Sequence, residues 1–349
     1  MVVERLENVG NWETARSAAM VMHQTGVREL TELAKVSVVE YREIANRNDI
    51  GYHQVGSILF STNESKGKEE IQRRILLQTG LGVESIFMDS SEINARVPFI
   101  YAGDIVAACY CPLDGYVDPN SVVNFYYSEA RNAGVKFLKG REGHPVASAG
   151  CVNGVRIDEE TIEAEFLVNA AGGMAHLIGK EVGLHLPISA NIRYLSVIEP
   201  NPHVTNSLIL EDIDSEWYIR PESGGTLLIG EGPVTPYEIT EDNKNFYPPK
   251  ENTAVVERLA KHISYRFPRL LDSKPVASWP GIRSITTKGL PLLGGVEDIE
   301  GYINCCGMSG FGVTLAPACG RLTAELIADG KTSVSLEPFL LSRSGTGGP

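Results

Sequence analysis

The sequence has no uninterrupted apolar run near the roughly 20 residues that a membrane-spanning helix needs. It also has no excess of positive charge, no C-x-x-C pair and no G-x-S-x-G elbow. Each absence removes a class of protein. Without the apolar run, a soluble chain is expected. With 31 Lys and Arg against 44 Asp and Glu, the formal charge of -13 repels nucleic acid and anionic membrane, so a small-molecule partner is expected instead. The six cysteines, at 109, 111, 151, 305, 306 and 319, follow no disulfide or zinc spacing. Together with the 7 histidines they form no metal set along the chain. Reduced thiols in a cytoplasmic protein are the simplest expectation, and the opening MVVERLENVG lacks the apolar core of a signal peptide. Without the elbow, a serine nucleophile is unsupported.

What is present is an alternation of strand-like and helix-like text over 349 residues, enough for two domains or one interleaved one. Apolar residues at near-helical spacing predict a helix from Trp12 to about Asn46, and KGKEEIQRRILLQTG predicts a second, ended by Gly80. NSVVNFYYSEARNAGV predicts a third, with an Asn cap at its start. KENTAVVERLAKHISYRFP reads as a helix ending before Pro268, and LAPACGRLTAELIADG as one that Gly330 stops. EAEFLVNAAGG, IRYLSVIEP, EWYIRPES, GTLLIGEG and GYINCCG read as strands. SRSGTGGP reads as a disordered tail, at 342–349.

Between the strand GYINCCG and the last helix lies GMSGFGVTLAP, with the spacing G-x-x-G-x-G. A helix N-terminus presents free backbone N–H groups and a partial positive charge, which suit an anion or an electron-rich carbonyl. Glycines at 310 and 312 let a flat ligand approach the backbone. A tight turn between strand and helix explains the same glycines more simply, since glycine marks turns so often.

The order of the segments decides more than the loop does. DGYVDPNSVVNFYYSEARNAGV, FLVNAAGGMAHLIGKEVGLHLPI, EWYIRPESGGTLLIGEG, WPGIRSITTKGLPLLG and YINCCGMSGFGVTLAPACGRLTAELIADG occur in succession. In that order they resemble the FAD-dependent D-amino-acid oxidase, glycine oxidase and sarcosine oxidase family. The resemblance implies an α/β fold in which a Rossmann-like FAD-binding domain, its first strand missing, is interleaved with a mixed-sheet substrate domain. The expected FAD-binding parts are 1–50, 115–190 and 275–340, and the substrate-binding parts are 51–114 and 191–274. It also implies oxidation of a C–N bond in an amino acid or a secondary or tertiary amine, by hydride transfer to the flavin.

Site residues follow from the same resemblance. Gly310, Phe311, Gly312, Val313 and Thr314 are expected beside the flavin, with the following helix supplying electrostatic support. MVVE resembles the end of the second strand of the dinucleotide fold, which makes Glu4 the expected ribose ligand. Thr14, Arg16 and Ser17 fall where phosphate and flavin are touched, although Arg16 also reads as a solvated surface residue. Val146, Ala171 and Gly172 complete the expected cofactor set. Arg283 falls where relatives pair an arginine with the substrate carboxylate, a role its planar fork suits; a structural ion pair is the other reading. Thr314 stands where sarcosine oxidases carry a carboxylate-binding lysine, and Leu228 where they carry a lysine that promotes reaction with oxygen. A dehydrogenase passing electrons to an unknown acceptor is therefore expected rather than an oxidase.

The family's G-x-G-x-x-G turn occurs nowhere in the sequence. Either the sequence as given begins downstream of it, or the chain is a variant that binds FAD poorly. The intact loop at 307–317 favours the first. A non-catalytic subunit of a heteromeric complex is the alternative function.

Overall fold

The computed structural model describes residues 1–349 except 202, 204–206, 231–233, 249–252 and 342–349, so the expected tail lies outside the described residues. Seven α-helices occur among them: α1 Arg28–Ala45, α2 Gly67–Gly80, α3 Ser90–Arg96, α4 Pro119–Asn132, α5 Ala175–Glu181, α6 Thr253–Arg266 and α7 Gly312–Asp329.

The largest sheet has nine strands. Thr235–Tyr237, Ile188–Glu199, Leu227–Gly230, Tyr218–Pro221, Ile209–Asp212, Ser57–Ser61, Ala107–Cys111 and Ile86–Met88 follow one another across it. Lys274–Thr286 lies against the other side of Ile188–Glu199. Every pairing is antiparallel except that of Ile209–Asp212 with Ser57–Ser61. Successive side chains in a strand point to opposite faces, so one face of this sheet can be pure core. Ile58, Phe60, Leu210, Ile219, Leu227, Ile229 and Ile192 form that face, packed with Val255 and Leu259 of α6 and with Phe267. Burying each such side chain contributes about 1.5–3 kcal/mol.

A second sheet of six strands runs Glu160–Glu163, Cys151–Ile157, Ile299–Cys306 and Leu167–Asn169, with Leu292–Val296 and His144–Ser148 added at its sides. Leu167–Asn169 pairs with Ile299–Cys306 in parallel. Val2–Glu4 pairs in parallel with Phe137–Lys139 in a separate ladder. The helices α1 and α7 pack together through Leu30, Leu33 and Ala34 against Leu315, Ala318, Cys319 and Leu322. Gly330 ends α7 in the left-handed conformation, as glycine after a helix commonly does.

Two expectations change. The helix expected from Trp12 starts only at Arg28. Before it come a single 3-10 turn at Thr14–Arg16 and the strand Met20–Val21, which pairs with Gly115–Tyr116 from far along the chain. The cap of α4 is Asp118, which accepts from the Ser121 amide at 2.7 Å, with Pro119 in the first turn. Proline there loses no hydrogen bond, because that N–H would have been free. The strand Lys274–Thr286 belongs to the nine-stranded sheet, and Ile188–Glu199 is one continuous strand across residue 190.

Candidate active site

The second face of the nine-stranded sheet mixes apolar side chains with charged and polar ones, and register assigns its members. Partners directly opposite in an antiparallel pair share a face. Glu211 lies opposite Tyr218, Tyr218 opposite Gly230, and Gly230 opposite Leu195. Two residues before Leu195, Arg193 faces Gly281, and Asn191 then faces Arg283. One surface therefore carries Glu211, Tyr218, Arg220, Arg193, Asn191 and Arg283. Gly230 leaves room on it for the Tyr218 ring, which a Cβ there would strike.

Three side chains fasten residues 16–20 over this face. Trp279 Nε1 donates to the Arg16 carbonyl at 3.1 Å, Arg220 Nε to that of Ala18 at 2.7 Å, and Thr314 Oγ1 to that of Met20 at 2.8 Å. Thr314 is buried and spent on this tie, so its hydroxyl secures the backbone near the site.

The glycine loop closes one side. Ser309 and Gly310 have φ of 50° and 88°, and the Ser309 amide donates to the Ser284 carbonyl at 2.8 Å. The guanidinium of Arg283 lies so close to Gly310 that a Cβ there would collide with it. Arg283 Nη2 reaches only the Ser309 carbonyl, at 3.4 Å, and among the described residues no carboxylate pairs with it. Burial and the neighbouring Arg193 both disfavour its charge and lower its pKa. An anion arriving from outside would relieve both.

No side chain caps α7 at Phe311, and the amides of Gly312, Val313 and Thr314 have no acceptor among the described residues. Pro317 has no N–H to give to the Val313 carbonyl, and Tyr41 Oη donates to it instead, at 2.7 Å. A Cβ on Gly312 would meet only Met308 Cβ, at 3.8 Å, so the backbone there is open to a flat group. The Phe311 side chain packs into the α1–α7 seam, and that of Val313 packs with Val21, Val38 and Tyr41.

The other expected cofactor residues are placed as follows. Glu4 Oε1 accepts from the Leu6 amide at 2.8 Å. Arg16 donates to the carbonyls of Asn11 and Trp12, both at 2.8 Å, and stacks on Tyr247 with its guanidinium carbon 4.0 Å from the ring centre. Ser17 Oγ donates to Thr14 O at 2.8 Å. Val146 is half-buried in the strand His144–Ser148. Ala171 and Gly172 follow the strand Leu167–Asn169, and the Glu13 carboxylate occupies the space beside Gly172, accepting from the Gly173 amide at 2.7 Å. The α7 end of the site thus suits a flavin ring. At the Gly172–Gly173 end the Glu13 carboxyl already takes the Gly173 amide.

Burial pushes the Glu13 carboxyl up to about 7 from 4.5, against the lowering effect of the Gly173 amide. An acid raised on folding keeps its proton while the unfolded chain ionises. Its stabilising effect is full below about pH 4.5 and lost as the pH climbs to about 7. Glu13→Gln removes this dependence: between those pH values the variant loses about 1–3 kcal/mol less stability than the wild type, as read by denaturant unfolding.

The fold also joins residues that the linear pattern kept apart. His23, Cys111 and Asp114 are buried with ligand atoms within 4.8 Å of one another. Asp114 there accepts from the His23 amide at 2.7 Å and from Ser57 Oγ at 2.6 Å, and His23 Nδ1 lies 2.8 Å from it. Hydrogen bonds hold this cluster together. His53 lies at the surface, stacked on Tyr116 with ring centres 4.9 Å apart. Cys305 and Cys306 sit on the strand before the loop, and burial raises both thiols.

Sequence reasoning missed Glu211, Tyr218, Arg193 and Glu13. The charge inside the apolar run LILED was the one available signal for Glu211.

A partly parallel sheet and a mixed sheet, with an uncapped helix N-terminus and an arginine that has no carboxylate partner among the described residues, make an α/β protein. Residues 1–326 match the FAD dependent oxidoreductase family, and the chain belongs to it. Over 296 residues it is 28% identical to glycine oxidase of Geobacillus kaustophilus, covering 84% of this chain and 75% of that one. Over 353 residues it is 25% identical to human mitochondrial sarcosine dehydrogenase, covering 97% of this chain but only 38% of that one. The structure resembles that of L-proline dehydrogenase from P. horikoshii, with a TM-score of 0.87, 22% identity and coverage of 97% and 88%.

Proposed function

We propose that this FAD-dependent oxidoreductase oxidises the C–N bond of an amino acid or a carboxylate-bearing amine and passes the electrons to an acceptor other than oxygen. The carrying observation is Arg283: a half-buried guanidinium without a carboxylate partner among the described residues, pressed against Gly310 beside the open N-terminus of α7. Arg283 grips the substrate carboxylate in a fork and so fixes the neighbouring carbon over the loop. FAD, when bound, supplies the hydride acceptor. Gly312 and the amides of residues 312–314 would face its ring and favour negative charge there. Arg220 and Trp279 hold residues 16–20 as a rigid wall, which narrows the orientations open to the substrate.

Leu228 supports the choice of acceptor. It is buried on the site face, opposite Arg220, and contributes no cation. Turnover of an amino acid is expected with an artificial dye as electron acceptor, and little peroxide without it. Peroxide formed in step with substrate consumption would make the protein an oxidase and overturn the acceptor assignment.

A further inference from the structure

We infer that Glu211 is the amine subsite: its carboxylate accepts an N–H of the substrate amine while Arg283 holds the carboxylate, so the site reads both poles of an amino acid. This rests on the amino-acid reading above and adds the residue that would distinguish an amine from a plain acid.

The register places Glu211 on the site face, beside Tyr218 and on the same surface as Arg193 and Arg283. It is half-buried and raised by burial, and among the described residues no group donates to it. A carboxylate in such a place normally finds a partner, because an unpaired buried charge is costly. Three arginines on the same face could have supplied one, yet none does: Arg220 pairs with Glu222 at 2.9 Å. Arg193 is bonded to Glu216 at 2.7 Å, and Arg283 turns to the Ser309 carbonyl. Arg283 and Glu211 are near enough to act on each other's charge, as are Arg193, Tyr218 and Glu216, with Arg74 reaching Glu211 from α2. What remains is one unpaired positive and one unpaired negative group with a tyrosine ring between strands. An amino acid has the complementary charges.

The test uses pairs of ligands that differ only at the amine: glycine and propionate, sarcosine and butanoate, L-proline and cyclopentanecarboxylate. Binding to the full chain with FAD added is measured by calorimetry, which needs no turnover. In the wild type, at least one amino acid should bind about tenfold or more tighter than its carbon counterpart, as charge-assisted hydrogen bonds allow. Glu211→Gln should remove that preference and leave the binding of the carbon acid within about twofold; Glu211→Asp should keep part of it. Melting temperatures of both variants establish that they fold. A preference that survives in Glu211→Gln, or a wild type that binds an amino acid no tighter than its counterpart, overturns the Glu211 assignment alone. If no acid of either kind binds, or Arg283→Ala leaves their binding unchanged, the amino-acid reading fails and this inference with it.

Discussion

Arg283→Ala should lower kcat/KM for carboxylate-bearing substrates by about 100- to 1000-fold while flavin content stays at the wild-type level. The magnitude follows from what is removed. A partly desolvated guanidinium beside a second arginine has little to stabilise it except an incoming anion, so the charge pair formed with a substrate carboxylate is a strong one. Truncation would leave on that face only Arg193 and Arg220, which Glu216 and Glu222 already occupy. Arg283→Lys should recover only part of the loss, because an ammonium cannot reproduce the two-pronged contact. The measurement is steady-state kinetics beside the flavin absorbance of each variant. Equal loss of flavin and of substrate affinity would place Arg283 in the cofactor site instead.

Gly312→Val should do the opposite and abolish flavin binding in a protein that still folds. The first carbon of the new side chain is not resisted, since a Cβ at 312 meets nothing closer than Met308 Cβ at 3.8 Å. Valine in the first turn of α7 costs only a few tenths of a kcal/mol in helix propensity, roughly offset by loss of the glycine's own. Any large effect therefore reports on a guest. Bound FAD per chain is expected to fall at least about tenfold, with the melting temperature of the flavin-free protein changed by no more than about 3 °C. Normal flavin content would remove the loop from the cofactor site. Gly310 differs, because a side chain there is resisted by both its φ of 88° and the Arg283 guanidinium.

The last helix was legible because its signals are local: a strand, three glycines, an apolar run and Gly330 within about 30 residues of one another. The role proposed for Arg283 came only through the family resemblance, since nothing local separates a substrate-binding arginine from one in an ion pair. Glu211 was hidden for another reason. Alternation in LILED tells which residues share a side of the strand, but which side meets the site depends on pairing across five strands between 188 and 286. The same distance concealed Glu13, whose partner Gly173 is 160 residues away. The overextended first helix failed similarly: apolar text around Met20 and Val21 answers to Gly115 and Tyr116, a contact no window of sequence contains.

The two-sided sheet has a consequence for how such a protein can change over generations. Along two of its strands, neighbouring codons carry separate duties: Leu210 beside Glu211, and Ile282 beside Arg283. A substitution at the first of each pair is felt by the folding equilibrium, and one at the second by whatever molecule enters the site. New substrate preferences can therefore arise by single steps that leave the hydrophobic layer untouched. Lineages sharing this scaffold are free to drift in diet while keeping the same skeleton.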